Sequence, residues 1–430
     1  MEIEADAADA HVPSLREDIA RCVHCGFCLQ ACPTYLQLGT ETDSPRGRIA
    51  LIDAMSTGRA EPAPSLLRHL DLCLQCRACE TACPSGVHFG RIMETARATV
   101  MESDARPLAW RLRAAAMRQV LPHQRRIGAL MTLLRAYQHS PLPAILRRPA
   151  ARRLVPFALQ AAEASMPSVP PAAFTPPQQP AGLTRTVAML RGCVMPHLYP
   201  RTHIATVRVL NRLGYRVIFP VDEVCCGALS LHAGDRRLAR ELARRNIDAF
   251  LDAGVEAIVV NSAGCGSTMK EYGELLDDDA DYRERAARFA SMTRDVLEFV
   301  AGHALPALGA VDASVTYQDS CHLVHAQKVT TAPRALMRAI PGLELRELSA
   351  PDRCCGSAGL YSLVQREMSG RLLAEKMDDI TDTGAAVIAT ANPGCMMQIE
   401  SGVRQRGMHA RVVHVIELLD ESMRAGERPA

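Results

Sequence analysis

Short apolar runs alternate with long amphipathic stretches throughout the second half of the chain. The short runs are predicted to be buried strands, and the amphipathic stretches, such as 236–253 and 363–379, are predicted to be helices. The predicted strands cover residues 186–190, 215–219, 256–260, 314–317, 344–348 and 385–390. Strands that alternate with helices in this way indicate layered α/β units with parallel sheets.

The first half of the chain has a different pattern. A short helix is predicted to end near Arg21. Between residues 105 and 160 there is no Asp or Glu, and arginines are interleaved with apolar residues. This pattern predicts amphipathic basic helices that are broken at Pro122, Pro141 and Pro143. Their arginine face either contacts anionic lipid or an acidic partner subunit, or it is the solvated face of a helical connector.

The overall composition excludes some classes of function. The chain has 430 residues, of which 48% are hydrophobic, and a net charge of +2. This charge gives no overall attraction to nucleic acid, so no nucleic-acid partner is expected. No apolar run approaches the ~20 residues of a membrane-spanning helix, and residues 1–11 lack the pattern of a signal peptide. We therefore expect a cytoplasmic protein, with peripheral attachment to the inner face of the cell membrane as the alternative.

The sixteen cysteines fall into tightly spaced groups. Eight of them form two runs with the spacing C-x2-C-x2-C-x3-C-P, by which bacterial ferredoxins hold [4Fe–4S] clusters, each cluster taking its fourth thiolate from the other run. The predicted ligands are Cys22, Cys25, Cys28 and Cys83 for one cluster, and Cys73, Cys76, Cys79 and Cys32 for the other. Zinc sites usually present two separated C-x2-C pairs, and disulfides need an oxidising compartment, so both fit less well.

The other eight cysteines occur in two copies of one pattern. They are Cys193, Cys225, Cys226 and Cys265 in the first copy, and Cys321, Cys354, Cys355 and Cys395 in the second. Equivalent positions are 128, 129 and 130 residues apart, which indicates an internal duplication. The cysteines follow predicted strands and precede predicted helices, so four sulfurs per copy are expected at the carboxyl edge of a sheet. Eight buried structural cysteines would not explain this alignment, and we expect a redox or metal-binding role.

These patterns predict an α+β protein, in which a mainly helical, ferredoxin-like N-terminal domain precedes a duplicated α/β domain. Six prolines between residues 166 and 185 exclude a helix or a central strand and predict an extended linker. The predicted bounds are 1–104 for the N-terminal domain, 105–165 for the helical connector, 166–185 for the linker, and 186–310 and 311–430 for the two repeats.

Several motifs resemble the iron–sulfur subunit of glycolate oxidase. They are Cys22-Val-His-Cys-Gly-Phe-Cys28, Ser44-Pro-Arg-Gly-Arg-Ile49, Cys83-Pro-Ser-Gly-Val87, Asn246-Ile-Asp-Ala249, Ser262-Ala-Gly-Cys-Gly266, Lys270-Glu-Tyr-Gly273, His325-Ala-Gln-Lys328 and Cys354-Cys-Gly-Ser-Ala-Gly359. The resemblance covers nearly the whole chain and is weakest across the connector and the linker. The duplicated domain, a CCG domain by its Cys-Cys-Gly motifs, is also similar to heterodisulfide reductase B subunits, lactate-utilisation proteins and the third subunit of anaerobic glycerol-3-phosphate dehydrogenase.

The resemblance implies an oxidoreductase complex in which FAD-containing subunits oxidise glycolate to glyoxylate, while this chain passes the electrons to a quinone or another acceptor. FAD is expected on the partner only, because no G-x-G-x-x-G follows a predicted strand. No catalytic residue for substrate oxidation is expected in this chain. A subunit of a lactate or glycerol-3-phosphate dehydrogenase, or a disulfide reductase of the heterodisulfide reductase type, are the alternatives.

The repeats depart from the heterodisulfide reductase pattern at one position each. In those relatives the last cysteine belongs to a C-x-x-C pair that supplies a fifth thiolate, and here Thr268 and Gln398 stand instead. A further iron–sulfur cluster, a zinc ion and a redox disulfide are therefore alternatives for the repeats. His322 and His325 beside Cys321 either bind metal, move protons or lie on a helix surface, and the surface position is the favoured interpretation.

Overall fold

The computed structural model describes residues 14–103, 107–146 and 166–427, together with positions 148, 155, 160 and 163. In the first of these ranges the chain forms helices and loops. The helices are α1 (Leu15–Ala20), α2 (Pro33–Leu38), α3 (Pro45–Ser56), α4 (Pro64–Asp71), α5 (Ala78–Thr81) and α6 (Phe89–Glu102), with a 3₁₀ turn at Glu41–Asp43. Their apolar faces meet in a core around Ile52, Leu70, Ile92 and Met93.

The sequence explains where these helices begin. The Ser14 side chain accepts a hydrogen bond from the Glu17 backbone N–H, and the Glu17 carboxylate accepts one from the Ser14 N–H, which forms a capping box for α1. Helices α2, α3 and α4 begin at Pro33, Pro45 and Pro64. Proline suits the first helical position because its φ is already helical and it has no N–H to leave unpaired. Helix α2 thus starts directly after the first cysteine run.

The described part of the connector consists of α7 (Leu108–Val120), α8 (Gln124–His139) and α9 (Leu142–Leu146). The helices are interrupted at Pro122 and Pro141, as the sequence predicts, whereas Pro143 lies inside α9. Ile127 of α8 is only 3% exposed and packs into a core of the first repeat. The connector is therefore attached to the repeat by an apolar contact. Residues 166–184 that follow contain neither helix nor strand.

The first repeat is built on a parallel four-stranded sheet with the order β2-β1-β3-β4. Its strands are β1 (Arg185–Met189), β2 (Tyr215–Ile218), β3 (Ile258–Val260) and β4 (Thr293–Asp295). Its helices are α10 (Met195–Leu198), α11 (Pro200–Arg212), α12 (Ala228–His232), α13 (Arg236–Leu251), α14 (Ala263–Lys270), α15 (Tyr272–Leu275), α16 (Arg283–Met292) and α17 (Val296–Ala301). Alternate residues of β1 and β3 enter two different cores, so both faces of the sheet are buried.

The second repeat has the same topology, with the strand order β6-β5-β7-β8. Its strands are β5 (Ala313–Tyr317), β6 (Leu343–Leu345), β7 (Val387–Thr390) and β8 (Arg411–His414). Its helices are α18 (Ala332–Arg338), α19 (Tyr361–Val364), α20 (Arg366–Thr383), α21 (Pro393–Arg406) and α22 (Val415–Gly426), with a π-helical turn at His322–Ala326. The duplication in the cysteine pattern is thus also a duplication of the fold.

The two repeats interlock through their helices. Helix α22 of the second repeat packs on α11 of the first, and α17 of the first packs on α18 of the second. One apolar core contains residues from both repeats, for example Leu297 and Leu419. The repeats therefore form one packed unit.

The predicted fold class is confirmed: helical N-terminal domain first, then two parallel α/β repeats. The predicted strands are one to three residues too long at some ends, as for 344–348, where the strand is Leu343–Leu345. Strands β4 and β8 were not predicted, because a three-residue strand such as Thr-Arg-Asp lacks an apolar run. The predicted domain bounds stay predictions.

Candidate iron–sulfur sites

The first candidate site lies at the surface of the N-terminal domain. Cys22, Cys25, Cys28 and Cys83 line one cavity, together with Pro84 from the end of the second run. Cys25 is exposed, and the other three are partly buried. Three of these cysteines come from the first run and the fourth comes from the second run, which is the grouping that the sequence predicts.

The second candidate site lies deeper in the protein. Cys32, Cys73, Cys76 and Cys79 line a second cavity, and all four are buried. Here the fourth cysteine comes from the first run. Cys79 lies in the walls of both cavities, so the two sites adjoin.

The two cysteine runs share an unusual backbone. His24 and Gln75, which occupy equivalent positions, both have a φ of 54°. Gly26 and Arg77 are equivalent as well, and their φ values are 86° and 62°. Positive φ costs a residue other than glycine about 1 kcal/mol or more, so such a conformation persists where the surroundings demand it. Each loop winds around its cavity, and this path of the backbone requires the positive φ values.

Two arginines lie beside these sites. The buried Arg48 guanidinium is 3.9 Å from Cys32 Sγ and 3.1 Å from the Thr34 hydroxyl, and it forms an ion pair with Asp43 at 3.6 Å. Arg46 pairs with Glu41 and also donates a hydrogen bond to the His24 carbonyl. Each arginine therefore contacts both a local acid and a cysteine run.

The donor sets fit [4Fe–4S] clusters in number and type, since each cavity is lined by at least four thiols, with Cys79 shared between them. Burial raises the pKa of the Cys76 and Cys79 thiols well above the ordinary value, and neighbouring cysteines raise it further. Buried thiolates at such places need a cationic centre, which iron supplies.

The cysteines of the first repeat form one contiguous group. Neighbouring thiols are in hydrogen-bond contact in the order Cys193, Cys225, Cys226, Cys265. Hydrogen bonds from the Cys193 and Cys226 thiols lower the pKa of Cys225 well below its usual value. Helix α8 packs on the same apolar core, to which Ile127 and three of these cysteines belong.

Two side chains hold the Cys-Cys-Gly loop of the first repeat. Asn246 accepts a hydrogen bond from the Val224 N–H at 2.9 Å and donates one to the Cys225 carbonyl at 3.2 Å. The Tyr272 hydroxyl donates to the Cys226 carbonyl at 2.8 Å. Both residues belong to motifs quoted above, and the structure gives them a role in positioning the loop.

The second repeat has an equivalent group, with thiol contacts in the order Cys321, Cys354, Cys355, Cys395. The Asn392 amide is 3.7 Å from Cys395 Sγ. Gly356 has a φ of 84°, and a Cβ there would come within 2.7 Å of the Ser369 carbonyl oxygen. The glycine after the paired cysteines is thus required by close packing against α20.

The second group lies against the N-terminal domain. Cys354 and Cys76 belong to one apolar cluster, which also contains Leu74 and Tyr361. The Tyr361 hydroxyl donates a hydrogen bond to the Leu72 carbonyl at 3.0 Å. The second repeat therefore adjoins the deeper of the two candidate sites.

The positions of the missing fifth cysteines are occupied by well-packed residues. Thr268 is 1% exposed, and the Gln398 amide donates to the Ser369 hydroxyl at 3.0 Å. Among the described residues, no three Cys, His, Asp or Glu side chains are arranged so that they could bind one metal ion.

The favoured surface position of the two histidines is wrong for His325. This side chain is 2% exposed and contacts the Thr81 hydroxyl of the N-terminal domain at 3.0 Å. His322 is partly buried, its Nδ1 is 3.6 Å from Cys321 Sγ, and its ring lies 5.3 Å from that of His232. Both histidines lie at the junction between the repeats and the N-terminal domain, which is visible only in the fold.

Two cubane-type cysteine sets beside a duplicated cysteine-rich α/β domain define the chain as an iron–sulfur electron-transfer protein. Family models match accordingly: a 4Fe-4S dicluster domain over 18–87, a cysteine-rich domain over 187–270 and 315–400, and a glycolate oxidase iron–sulfur subunit linker region over 111–166.

Whole-chain relatives specify the family. The chain is 39% identical over 94% of its length to a probable glycolate oxidase iron–sulfur subunit of Bacillus subtilis, covering 94% of that protein. It is 36% identical over 94% of its length to the glycolate oxidase iron–sulfur subunit of Escherichia coli, covering 93% of it. The chain belongs to the family of glycolate oxidase iron–sulfur subunits.

Two further similarities are more partial. Lactate utilization protein A of Macrococcus caseolyticus is 32% identical over 56% of this chain and 98% of its own length. A crystal structure of a hypothetical protein from Helicobacter pylori superposes with a TM-score of 0.57 over 96% of this chain and 73% of that chain, at 8% identity. The latter similarity concerns the fold alone.

Proposed function

We propose that this chain is the electron-transfer subunit of a flavin-dependent glycolate dehydrogenase, which carries electrons from FAD-containing partner subunits to a quinone or another acceptor. The observation that carries the proposal is the pair of adjoining cysteine-lined cavities, one at the surface and one buried. When bound, each [4Fe–4S] cluster takes up and releases one electron at a time. The proposed ligands are the two cross-paired sets named above.

The exposed site is the proposed entry for electrons. Cys25 is exposed, and Val23 and Phe27 on the same loop are 67% and 66% exposed. Exposed apolar side chains around a redox site suit a protein interface. The FAD-containing subunit is the partner that must approach a cluster closely, so we place its docking surface on this loop. The buried site then passes electrons inward, toward the second repeat.

The two cysteine groups of the repeats are proposed to bind a further iron–sulfur cluster or zinc. Their contiguous thiols support a metal-binding role, and the absence of fifth cysteines weighs against a disulfide reductase of the heterodisulfide reductase type. Iron, zinc and acid-labile sulfide analysis of the anaerobically purified chain decides between these. Roughly eight irons per chain would correspond to the two cubanes alone, and appreciably more would give the repeats a cluster.

We also propose that the connector contacts the surface of a membrane. Leu108, Leu112 and Leu133 of α7 and α8 are 70%, 61% and 67% exposed, in a segment rich in arginine and without acidic residues. Such a face suits an anionic bilayer. Among the helices of the described residues, none has the length and apolar character to cross a membrane. Sedimentation with anionic vesicles tests the contact, and Leu112→Glu is expected to weaken binding, with vesicles of neutral lipid as the control.

Cysteine exchanges test the proposed ligand sets. Cys83→Ser is expected to remove about half of the roughly eight cubane irons. Adding Cys25→Ser should remove no more, because both residues belong to the same proposed set, whereas adding Cys76→Ser should remove the remainder. The reverse pattern would contradict the cross-paired assignment.

Glycolate-driven reduction tests the function itself. The chain alone is expected to show no glycolate oxidation, whereas its clusters should become reduced when glycolate and the flavoprotein partner are added, as followed by EPR. Oxidation of glycolate by the chain alone would overturn the proposal. Lactate and glycerol 3-phosphate are the alternative substrates, and the similarity to lactate utilization protein A makes lactate the first to compare.

A further inference from the structure

A cavity of about 100 Å³ lies where the N-terminal domain, the connector and both repeats meet. The second cysteine run contributes Cys73 and Gln75 to its wall, and helix α7 contributes Trp110 and Met117. Leu229 of the first repeat and Tyr361 of the second complete the enclosure. The cavity therefore borders a proposed ligand of the buried cluster directly.

The walls of this cavity are mostly apolar, with one polar side chain that stands out. Gln75 is only 3% exposed, and neither its Nε2 nor its Oε1 has a hydrogen-bond partner among the described residues. A buried amide without partners costs about 1–3 kcal/mol, so its persistence calls for a ligand that satisfies it. Gln75 lies in the wall of both this cavity and the deeper cysteine cavity.

We propose that the cavity binds the ring of a lipophilic quinone and is the acceptor site of the chain, an inference that rests on the proposed electron-transfer function. An apolar ring matches the walls, and a quinone carbonyl accepts a hydrogen bond from Gln75 Nε2. Arg97 and His232 also line the cavity, but most of its wall is apolar and favours an uncharged ring.

The reaction at this site balances. The quinone takes up two electrons, which the hydroxy acid supplies through the FAD-containing partner, and two protons, which come from water. Both C=O groups become C–OH groups as two O–H bonds form. The apolar tail of such a quinone would leave the cavity on the side of α7, whose exposed Leu108 and Leu112 form the proposed membrane contact.

The chain offers a built-in reporter for this site, because Trp110 is its one tryptophan. Ubiquinone-1, a short-chain quinone, is titrated into the anaerobically purified chain with its clusters while the fluorescence of Trp110 is recorded. The expected result is saturable quenching that yields a Kd. Quenching that rises linearly without saturation would contradict the proposal.

Two substitutions on α7 form a matched pair. Ala114 lies in the cavity wall, whereas Ala116 is exposed on the same helix. Ala114→Phe should fill the cavity and raise the Kd at least tenfold, and Ala116→Phe should change it less than twofold. Gln75→Met should raise the Kd at least threefold. Equal Kd values for Ala114→Phe and the unaltered chain would overturn the assignment.

Glycolate-driven cluster reduction separates the two proposals. If glycolate and the flavoprotein reduce the clusters but quinone binding does not depend on Ala114, the cavity is not the acceptor site and the proposed function stands. If the clusters are not reduced at all, the proposed function fails irrespective of quinone binding.

Discussion

The two repeats have the same strand order and the same cysteine pattern, but their cysteine groups have different neighbours. Three cysteines of the first group share an apolar core with Ile127 of connector helix α8. The second group packs against Cys76 and Leu74 of the N-terminal domain. Duplication thus preserved the scaffold. The first repeat contacts the N-terminal domain through Glu271, which pairs with Arg77, whereas the second repeat places a cysteine of its own group beside Cys76.

The two repeats also differ in one buried side chain, which is charged in the second repeat only. Asn246 of α13 and Lys376 of α20 occupy equivalent buried positions, 130 residues apart. Asn246 is neutral and holds the Cys-Cys-Gly loop, whereas Lys376 is 2% exposed and donates to the Ala350 carbonyl. Burial lowers the pKa of Lys376, while Asp379 and the nearby Cys355 and Cys354 act in the opposite direction. Only the second repeat places a cationic group near its cysteines at this position.

The largest expected effect concerns Ile127, which packs connector helix α8 onto the core of the first repeat. Ile127→Ala should lower the free energy of unfolding by about 2–4 kcal/mol, because it opens a void in a packed core. The exposed Leu133 on the same helix is the control, and Leu133→Ala should cost less than about 0.5 kcal/mol. Anaerobic denaturant titration followed by circular dichroism measures both. Equal losses of unfolding free energy would contradict the packing of Ile127 into the core of the first repeat.

A cysteine exchange in each repeat tests which one adjoins the electron path. Cys354→Ser should lower quinone reduction by the reconstituted complex about tenfold, or about 1.4 kcal/mol in the barrier. Cys225→Ser, at the equivalent position of the first repeat, should lower it less than twofold. The EPR spectrum of the buried cluster should change only in Cys354→Ser. A greater loss from Cys225→Ser would reverse the comparison.

The buried lysine should raise the reduction potential of the cluster proposed for the second repeat. Lys376→Met removes a positive charge, so reduction becomes less favourable and the potential should fall by on the order of 50 mV, equivalent to about 1 kcal/mol. Asn246→Leu in the first repeat is the matched control and should leave that potential unchanged. A redox titration monitored by EPR gives both values, and an unchanged potential in Lys376→Met would contradict a role for this charge.

The smallest effects concern the residues that cap the last helix of each repeat. Asp295 caps α17, and burial raises its pKa to about 7, with Lys270 lowering it and Glu298 raising it. His414 caps α22 by accepting from the Ile416 N–H, and burial lowers its pKa to about 3, with His203 acting in the same direction.

These shifts have opposite consequences for stability. Native Asp295 holds its proton where the unfolded chain has lost it, so stability falls as pH rises from about 4 to about 7. His414 stays neutral where the unfolded chain is protonated, so stability falls as pH drops from about 6.5 to about 3. Asp295→Asn should therefore raise stability at pH 8 by about 1 kcal/mol relative to its effect at pH 5. His414→Gln should flatten the acid side instead, and parallel pH profiles for both variants would contradict this account.

The fold class could be predicted from the sequence, because metal-ligand spacing and internal repetition are local patterns. The assignment of the cysteines to particular sites stays a prediction. The sequence also predicted the breaks of the connector at Pro122 and Pro141. It did not predict β4 and β8, whose three or four residues carry too little apolar pattern.

The residues that pack against each site could not be predicted from the sequence. Gln75 lies inside a predicted cysteine run, but its lack of partners appears only when the repeats close over it. His325 was expected on a surface because its own element gives no sign of Thr81, which lies 244 residues away in the chain. Lys376 differs from Asn246 in type, and the equivalence becomes clear only when the buried faces of α13 and α20 are aligned.

Low-temperature EPR of the anaerobically purified, dithionite-reduced chain tests the central claim most directly. Two adjoining cross-paired sites predict signals of two reduced [4Fe–4S] clusters that integrate to about two spins per chain and show magnetic interaction. A colourless chain without any signal, or a single isolated cluster, would contradict the account.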